Sequence, residues 1–368
     1  MSRRVVRGDL ALATIALLAL LGAVFLAAIG IDSLEYRNDF QFFADSPTYH
    51  EAARGDLEID GVADLVGIAG NFLGPLVILK LAGENYYAVL ILNALLLAFS
   101  VLSLSRSLRL DASKFLIVLL LNPITISSLL SVNKETLSLV FVALLVRGYA
   151  ARSVATLLLA ALVSVLVRWQ LTVLLAIAVA MLSGVNPLRE RRIASLALLV
   201  AAFSLAYLLF EETLTPIRLT FQDAAAEYEG SGFYEQLVAW QDQGWYWAIL
   251  PLKAAHLLFG LGLRLDRLIA PADWYNDVWQ LLHSTSLLVL FLMVVRRGRF
   301  TPRNDLVYLA LIYVAVFAIT PIYTPRYFYP VYVLWAAALC SPDRLAPILR
   351  RRAVPRMRRK RPLAPSPT

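Results

Sequence analysis

Long apolar blocks recur along the whole chain and limit what it can fold into more than any other feature. Most of them are about 17–22 residues long, the length that an α-helix needs to cross a hydrocarbon core of about 30 Å. Helices satisfy their own backbone hydrogen bonds in lipid, and no alternating β-barrel pattern occurs. An all-α, polytopic transmembrane helical bundle is therefore predicted. The blocks lie near 10–31, 62–82, 86–105, 113–131, 135–150, 153–167, 171–185, 193–210, 245–263, 276–295, 305–321 and 326–341.

The composition also indicates a membrane protein. Of the 368 residues, 60% are apolar and 16% are charged, whereas soluble globular domains average roughly 45–50% and about 25%. The net charge of +8 comes from Lys and Arg in short runs between the apolar blocks and in the tail from Arg350 to Arg361. Such runs mark cytoplasmic loops and suit anionic lipid headgroups, so no nucleic-acid partner is expected.

The sequence lacks the motifs of several enzyme classes. The single cysteine, Cys340, excludes a disulfide framework or a Cys-based metal site within one chain. His50, His256 and His283 are scattered, and no H-E-x-x-H motif, P-loop or G-x-G-x-x-G turn occurs. These features weigh against a zinc protease, an ATPase and a Rossmann enzyme.

The distribution of positive charge decides which blocks cross the bilayer. If block 62–82 crossed, Arg106, Arg109 and Lys114 would be exported, and a crossing at 245–263 would export the basic tail. We therefore expect both blocks to be interfacial or re-entrant segments on the outer face. The chain is then predicted to cross a bacterial-type inner (plasma) membrane about ten times, with both termini in the cytoplasm.

One transmembrane domain is expected over residues 1–341, because no repeat and no Ser/Gly-rich linker divides the chain. Its two long outer loops span about 32–85 and 211–275. Residues 342–368 are predicted to form a disordered, basic cytoplasmic tail. The unusual polar residues gather on the opposite, extracytoplasmic side, which is the predicted active face.

The first outer loop carries two carboxylates, Asp39 and Asp45. Asp45 precedes Ser46-Pro47, which is a helix-start signal, and Tyr49 lies one turn further along. A carboxylate at such a junction can cap the helix, and it can also serve as a general base for an incoming hydroxyl. The sequence leaves both roles open, and they can coexist.

Two more polar clusters interrupt the apolar blocks. Lys134 and Glu135 are predicted at an outer turn, either as a solvated ion pair or with Lys134 at a phosphate. Arg168 and Gln170 interrupt an otherwise apolar stretch. Arg168 either extends to the outer headgroups beside Trp169 or belongs to a functional site, because an ionisable group at that depth is costly unless it is paired.

The last cluster, Arg326 and Tyr327, precedes the final span. Tyrosines at this position suit an interfacial aromatic belt. Positive charge is otherwise sparse on this face, and a guanidinium matches a phosphate or pyrophosphate in two-point contact. With Lys134 and Arg168, Arg326 therefore predicts a site for an anionic lipid headgroup, opposite the carboxylates of the first loop and suited to group transfer from a lipid phosphate.

These clusters resemble the GT-C superfamily, the multi-spanning glycosyltransferases that use polyprenyl-phosphate sugars. Their order and common sidedness carry the resemblance, since no single motif is specific. The features concerned are Asp39 and Asp45 in the first outer loop, the Asp-x-x-x-Tyr-x-x-x-Ala form of Asp45, Tyr49 and Ala53, Arg326-Tyr327 followed by Pro330, and Asn122-Pro123 followed by Asn133-Lys134-Glu135.

The resemblance implies an inverting transfer from a polyprenyl-phosphate-linked sugar to a glycan, lipid or protein acceptor, with membrane lipids as further partners. A first-loop Asp would act as base, and basic residues would hold the leaving phosphate. Some members use a divalent cation such as Mg²⁺ or Mn²⁺ and others do not, and no adjacent acidic pair occurs in the first outer loop, so metal use stays open. The expected catalytic residues are Asp45 and Asp39, and the expected substrate-binding residues are Tyr49, Lys134, Glu135, Arg168, Gln170, Arg326 and Tyr327.

Two other functions fit parts of the same pattern. A polysaccharide polymerase of the Wzy or EpsG type joins lipid-pyrophosphate-linked units at the same face and would have similar outer loops. A transporter or lipid-linked-sugar flippase is the alternative from another class. Transporters often contain internal repeats and broken helices at mid-membrane, whereas no repeat is found in this chain.

Overall fold

The computed structural model describes residues 8–30, 49–50, 52–53, 73–183, 186–209, 237, 239–240, 245–260, 278–319 and 324–342. Within these ranges the chain forms helices and short turns and no β-strand, in agreement with the predicted all-α fold. Most of the two outer loops and nearly all of the basic tail lie outside the described residues.

The helices are numbered in chain order, and a further helical segment covers 73–81. They are α1 (Gly8–Ile29), α2 (Tyr86–Leu108), α3 (Ala112–Leu120), α4 (Pro123–Leu130), α5 (Glu135–Ala151), α6 (Val154–Val167), α7 (Trp169–Leu182), α8 (Arg192–Leu209), α9 (Tyr246–Phe259), α10 (Gln280–Arg296), α11 (Asp305–Ile319), a 3-10 turn (Pro325–Phe328) and α12 (Tyr329–Cys340).

Two helices are long and apolar enough to cross a membrane, namely α1 with 22 residues and α2 with 23. The pair α3 and α4 would count as a third if it were one broken span. The other apolar helices that the structure describes are shorter, at 10–17 residues. Helix length therefore supports a membrane protein. It does not show the predicted number of about ten crossings, which stays a prediction.

The apolar block 113–131, expected to be one span, is divided into α3 and α4, whose axes differ by 89°. The side chain of Asn122 caps α4 by accepting a hydrogen bond from the backbone N–H of Ile124. Pro123 occupies the first position of α4, where its missing N–H has no consequence. The sequence thus ends one helix and starts another within the block, and α4 turns across the bundle.

Helices α5 and α12 form the centre of the bundle, and nearly every side chain in them is buried. Helix α5 packs against α2, α6, α4 and α12, and α12 packs against α11, α10, α3 and α5. Helix α6 instead exposes leucines such as Leu158 and Leu162. An apolar outer surface around a buried core is the arrangement expected for a bundle in lipid.

The described part of block 245–263 forms α9, which packs inside the bundle against α10, α11 and the 3-10 turn. At its end, the ring of Phe259 lies 5.4 Å from that of Phe291 in α10. Phe291 in turn lies 4.9 Å from Phe300, in the basic loop after α10. Helix α9 therefore runs from the level of the 3-10 turn toward the end of the bundle that carries the basic loop.

Candidate anion-binding site

The basic residues predicted for the site come from three separate parts of the chain and lie together in the fold. Lys134 and Glu135 stand at the start of α5, Arg168 stands at the start of α7, and Arg326 and Tyr327 lie in the 3-10 turn before α12. All of them are buried except Tyr327, which is half-buried. These residues were singled out from distant positions in the sequence, and the fold places them in one cluster.

Asn133 fixes the first turn of α5. Its Oδ1 accepts hydrogen bonds from the N–H groups of Glu135 and Thr136, at 2.9 and 3.1 Å. Its Nδ2 donates to the carbonyls of Ser128 and Ser131, at 2.9 and 2.8 Å. This amide caps α5 and also ties it to the end of α4, so that the two ionisable residues after α4 are directed into the bundle.

Glu135 forms an ion pair with Arg168 and is not part of a solvated pair with Lys134. Nη2 of Arg168 lies 3.1 Å from Oε1 of Glu135, and the residues are 2% and 3% exposed. The alternative in which Arg168 extends to the lipid headgroups is therefore wrong. Its neighbour Trp169 is 49% exposed, because α7 starts between them and directs the two side chains to different sides.

Aromatic rings link the basic groups. Cζ of Arg168 lies 3.9 Å from the ring centroid of Tyr327, and Cζ of Arg326 lies 5.5 Å from the same centroid. Nζ of Lys134 lies 5.7 Å from the ring centroid of Tyr49. Each cation is within the range of a cation–π interaction. A guanidinium that is stacked on a ring keeps its N–H groups directed outward in its own plane, where they can meet an anion.

Two buried polar atoms of α7 have no hydrogen-bond partner among the described residues. They are Nε of Arg168 and Oε1 of Gln170. Buried polar atoms are nearly always satisfied by protein or water, and each exception calls for an explanation. A ligand that accepts from the arginine and donates to the amide would satisfy both atoms.

The site is recessed within the bundle. Nδ2 of Asn93 in α2 donates to the carbonyl of Ser131, 2.9 Å away, in the turn that leads into α5. Asn93 lies seven residues, or about 10 Å, from the start of α2 at Tyr86. In α11, Tyr313 contacts the 3-10 turn and lies six residues, or about 9 Å, before the end at Ile319.

The predicted outer turn at Lys134 and Glu135 is thus about 10 Å inside the bundle instead of at its outer surface. The cause is the 89° bend between α3 and α4, because α4 crosses the bundle and leaves the following turn at mid-depth. Helix α7 carries 14 residues, a length of about 21 Å, which is shorter than a full span.

The predicted catalytic residues, Asp39 and Asp45, lie outside the described residues. The loop that carries them meets the site at Tyr49, which is buried against Ile78, Leu79 and Val132.

Sequence reasoning missed two residues behind the 3-10 turn, His283 of α10 and Tyr313 of α11. Both are completely buried, and both hydrogen-bond the backbone of the turn. Lys253 and His256 of α9 are also buried and were not among the predicted site residues. An ionisable residue within an apolar helix was the available signal for Lys253 and His256. A tyrosine among other apolar residues gives no such signal.

A second arginine repeats the chemistry of Arg168 at the other end of α11. Arg192, at the start of α8, forms an ion pair with Asp305. Its Cζ lies 4.8 Å from the ring centroid of Tyr308. Arginine, carboxylate and tyrosine therefore meet twice among the described residues of this fold.

The site carries three buried basic groups, Lys134, Arg168 and Arg326. Arg168 pairs with the carboxylate of Glu135, and Lys134 and Arg326 have further interactions of their own. Helix α7 starts there without a side-chain cap, so the positive end of its dipole adds to the field. In the part of the chain that is described, no three His, Cys, Asp or Glu side chains form a group that could hold a metal ion.

Comparisons with protein-family models, with curated proteins and with solved structures give no match for this chain. Its function is therefore inferred from the residues of the site and from their placement in the bundle.

Proposed function

We propose that this protein is a membrane glycosyltransferase of GT-C type, which transfers a sugar from a polyprenyl-phosphate donor to a glycan, lipid or protein acceptor. One observation carries the proposal, namely the buried cluster of Lys134, Arg168 and Arg326 around Tyr327 and Tyr49. Burying basic groups in an apolar bundle is costly, and such groups in membrane proteins mark sites for charged substrates.

The donor phosphate is held by the basic cluster. Arg168 is oriented by its ion pair with Glu135 and by its stacking on Tyr327, and its unsatisfied Nε supplies a donor. When the bond between the anomeric carbon and the phosphate oxygen breaks, negative charge develops on that oxygen. Fixed cations placed at this point stabilise the transition state because they need no reorganisation.

The acceptor is activated from the first outer loop. The carboxylate of Asp45 takes the proton of the acceptor hydroxyl, with Asp39 as the second acidic group of that loop. The acceptor oxygen then attacks the anomeric carbon from the face opposite the phosphate. A new C–O bond forms with inversion, and the polyprenyl phosphate leaves with the electron pair.

In the proposed topology the chain crosses the membrane about ten times, with both termini and the basic loops in the cytoplasm. The site then opens to the extracytoplasmic side and lies below the outer headgroups. This depth suits a substrate whose polar head is attached to a polyprenyl chain, because the chain stays in lipid while the phosphate enters the bundle.

The test is transfer by the purified, reconstituted protein, supplied with a polyprenyl-phosphate-linked sugar and a panel of glycan, lipid and peptide acceptors. A glycosylated product is expected with wild type, and little or none with Asp45→Asn. Equal turnover by both proteins would remove Asp45 as the base. Chain growth that requires a lipid-pyrophosphate-linked repeat unit would identify a polymerase, and flux across proteoliposomes with no covalent product would identify a flippase; either result overturns the proposal.

A further inference from the structure

The 3-10 turn that carries Arg326 is held by two buried side chains from other helices. Nε2 of His283 in α10 lies 3.1 Å from the carbonyl oxygen of Pro325. The hydroxyl of Tyr313 in α11 donates to the carbonyl oxygen of Tyr327. The two bonds hold the carbonyl groups of the residues on either side of Arg326.

The hydrogen bonds around His283 assign one of its ring protons. The carbonyl of Pro325 can only accept, so Nε2 of His283 carries a proton. Nδ1 lies 2.8 Å from Nδ2 and 3.1 Å from Oδ1 of Asn122, and this Oδ1 also accepts from the N–H of Ile124. Asn122 thereby links the α4 cap to the 3-10 turn.

The proton of Tyr313 is also assigned by its partner. The carbonyl of Tyr327 accepts it, which leaves the lone pairs of the hydroxyl oxygen for other donors. The ring of Tyr327 in turn lies 3.9 Å from Cζ of Arg168. The bond from Tyr313 therefore holds the residue on which the guanidinium of Arg168 stacks.

We infer that His283 and Tyr313 are positioning residues that hold Arg168 and Arg326 in the geometry for one anion before it binds. The inference rests on the proposed function for the nature of that anion, a polyprenyl phosphate. Binding loses less entropy when the side chains that bind the ligand are already held in place by hydrogen bonds. Removal of His283 or Tyr313 should therefore weaken binding although no charge is removed. Neither residue touches the ligand in this scheme.

The geometry is tested first without ligand, in protein labelled with ¹⁵N-arginine. The Nε–H resonances of Arg168 and Arg326 are assigned with the variants Arg168→Lys and Arg326→Lys. Tyr313→Phe is expected to shift both resonances. The matched control is Tyr332→Phe, because the hydroxyl of Tyr332 makes the same type of bond, to the carbonyl of Val118 at 2.6 Å. If Tyr313→Phe leaves both resonances in place, the inference is wrong.

Binding is tested second, with undecaprenyl phosphate as the probe and undecaprenol as the uncharged control. Tyr313→Phe is expected to bind the phosphate about 3- to 10-fold more weakly, the loss that corresponds to one hydrogen bond. His283→Phe should weaken binding by a similar factor, and His283→Gln, which keeps a donor for the Pro325 carbonyl, should restore part of it. Tyr332→Phe should bind like wild type.

A double-mutant cycle separates positioning from overall stability. In an Arg326→Lys background, Tyr313→Phe should cost much less affinity, since the positioned guanidinium is already gone. An equal loss in both backgrounds would mean that Tyr313 acts through general stability, and it would overturn the inference. If the wild-type protein does not bind undecaprenyl phosphate more tightly than undecaprenol, the proposed donor site is wrong. The arginine resonances would still test whether Tyr313 positions Arg168 and Arg326.

Discussion

Nη2 of Arg168 lies 3.1 Å from Oε1 of Glu135, and both side chains are almost fully buried. The residues are 33 positions apart, one at the start of α5 and the other at the start of α7. The pair therefore fixes the relative position of two helix starts and neutralises a charge that could not otherwise be buried. Nε of Arg168 has no hydrogen-bond partner among the described residues.

Glu135→Ala is expected to lower the free energy of unfolding by about 3–5 kcal/mol, because it leaves a buried guanidinium without its partner. The double variant Glu135→Gln with Arg168→Gln should recover part of this loss, since no unpaired charge remains. Both are measured by unfolding in detergent micelles. The control is Lys80→Gln: Lys80 is 61% exposed and pairs with Glu84, and an exposed pair contributes about 1 kcal/mol or less. Equal losses for the two pairs would contradict the prediction.

Arg168→Lys is expected to lower kcat/KM for the polyprenyl-phosphate donor by about tenfold or more, although the charge is kept. An ammonium cannot stack on Tyr327 and at the same time pair with Glu135 and donate to a phosphate in the manner of a guanidinium. Arg192→Lys is the matched control, because Arg192 also contacts a carboxylate and a tyrosine ring but lies outside the site. Its turnover per folded molecule should stay near wild type. A similar loss of turnover in both variants would show that the effect is structural.

Gly74→Ala is expected to destabilise the protein by about 1–3 kcal/mol through overpacking. A Cβ at this position would lie 2.7 Å from the carbonyl oxygen of Leu166 and 2.6 Å from Cδ1 of Leu137. These leucines are each two residues from the ion pair, so we also expect weaker binding of the donor. In Gly8→Ala the nearest atom is a side-chain carbon of Leu102 at 3.3 Å, and little change is expected. Wild-type stability of Gly74→Ala would contradict the close approach.

Cysteine labelling in intact cells tests the proposed topology, in a Cys340→Ser background. A membrane-impermeant maleimide is expected to label Lys80→Cys from outside the cell. Glu190→Cys, in the loop between α7 and α8, should react only after the membrane is permeabilised. Both positions are exposed on the protein, so burial does not explain a lack of labelling. Labelling of Glu190→Cys in intact cells would reverse the orientation.

The members of the basic cluster could be predicted from the sequence because their signals are chemical, whereas their role in binding a substrate stays a prediction. Lys134, Arg168 and Arg326 stand out because basic residues are rare on one side of an apolar chain, and the fold brings all three into one cluster. The all-helical fold was predicted for the same kind of reason, since long apolar blocks leave few alternatives. Both inferences need only composition and order along the chain.

The depth of the site in the bundle, and the contacts by which His283 and Tyr313 hold the 3-10 turn, could not be predicted in this way. The turn at Asn122-Pro123 is a correct cap signal, but it does not tell how sharply two helices bend or where the next turn ends in the bundle. The contacts of His283 and Tyr313 depend on the packing of three helices. Apolar periodicity gives no information on such long-range contacts, because it indicates which face of a helix is buried and not which residues of other helices lie against it.

The short helices around the site have a consequence for the surrounding lipid. Helices α6 and α7 have 14 residues each, or about 21 Å, against a hydrocarbon thickness of about 30 Å. In the proposed topology both helices cross the bilayer, and the resulting hydrophobic mismatch would be relieved if the lipid next to them thinned. A lipid-linked sugar that approaches from this side would then have less hydrocarbon to cross before its phosphate meets Arg168. The protein would lower the barrier in the membrane itself, in addition to binding the substrate.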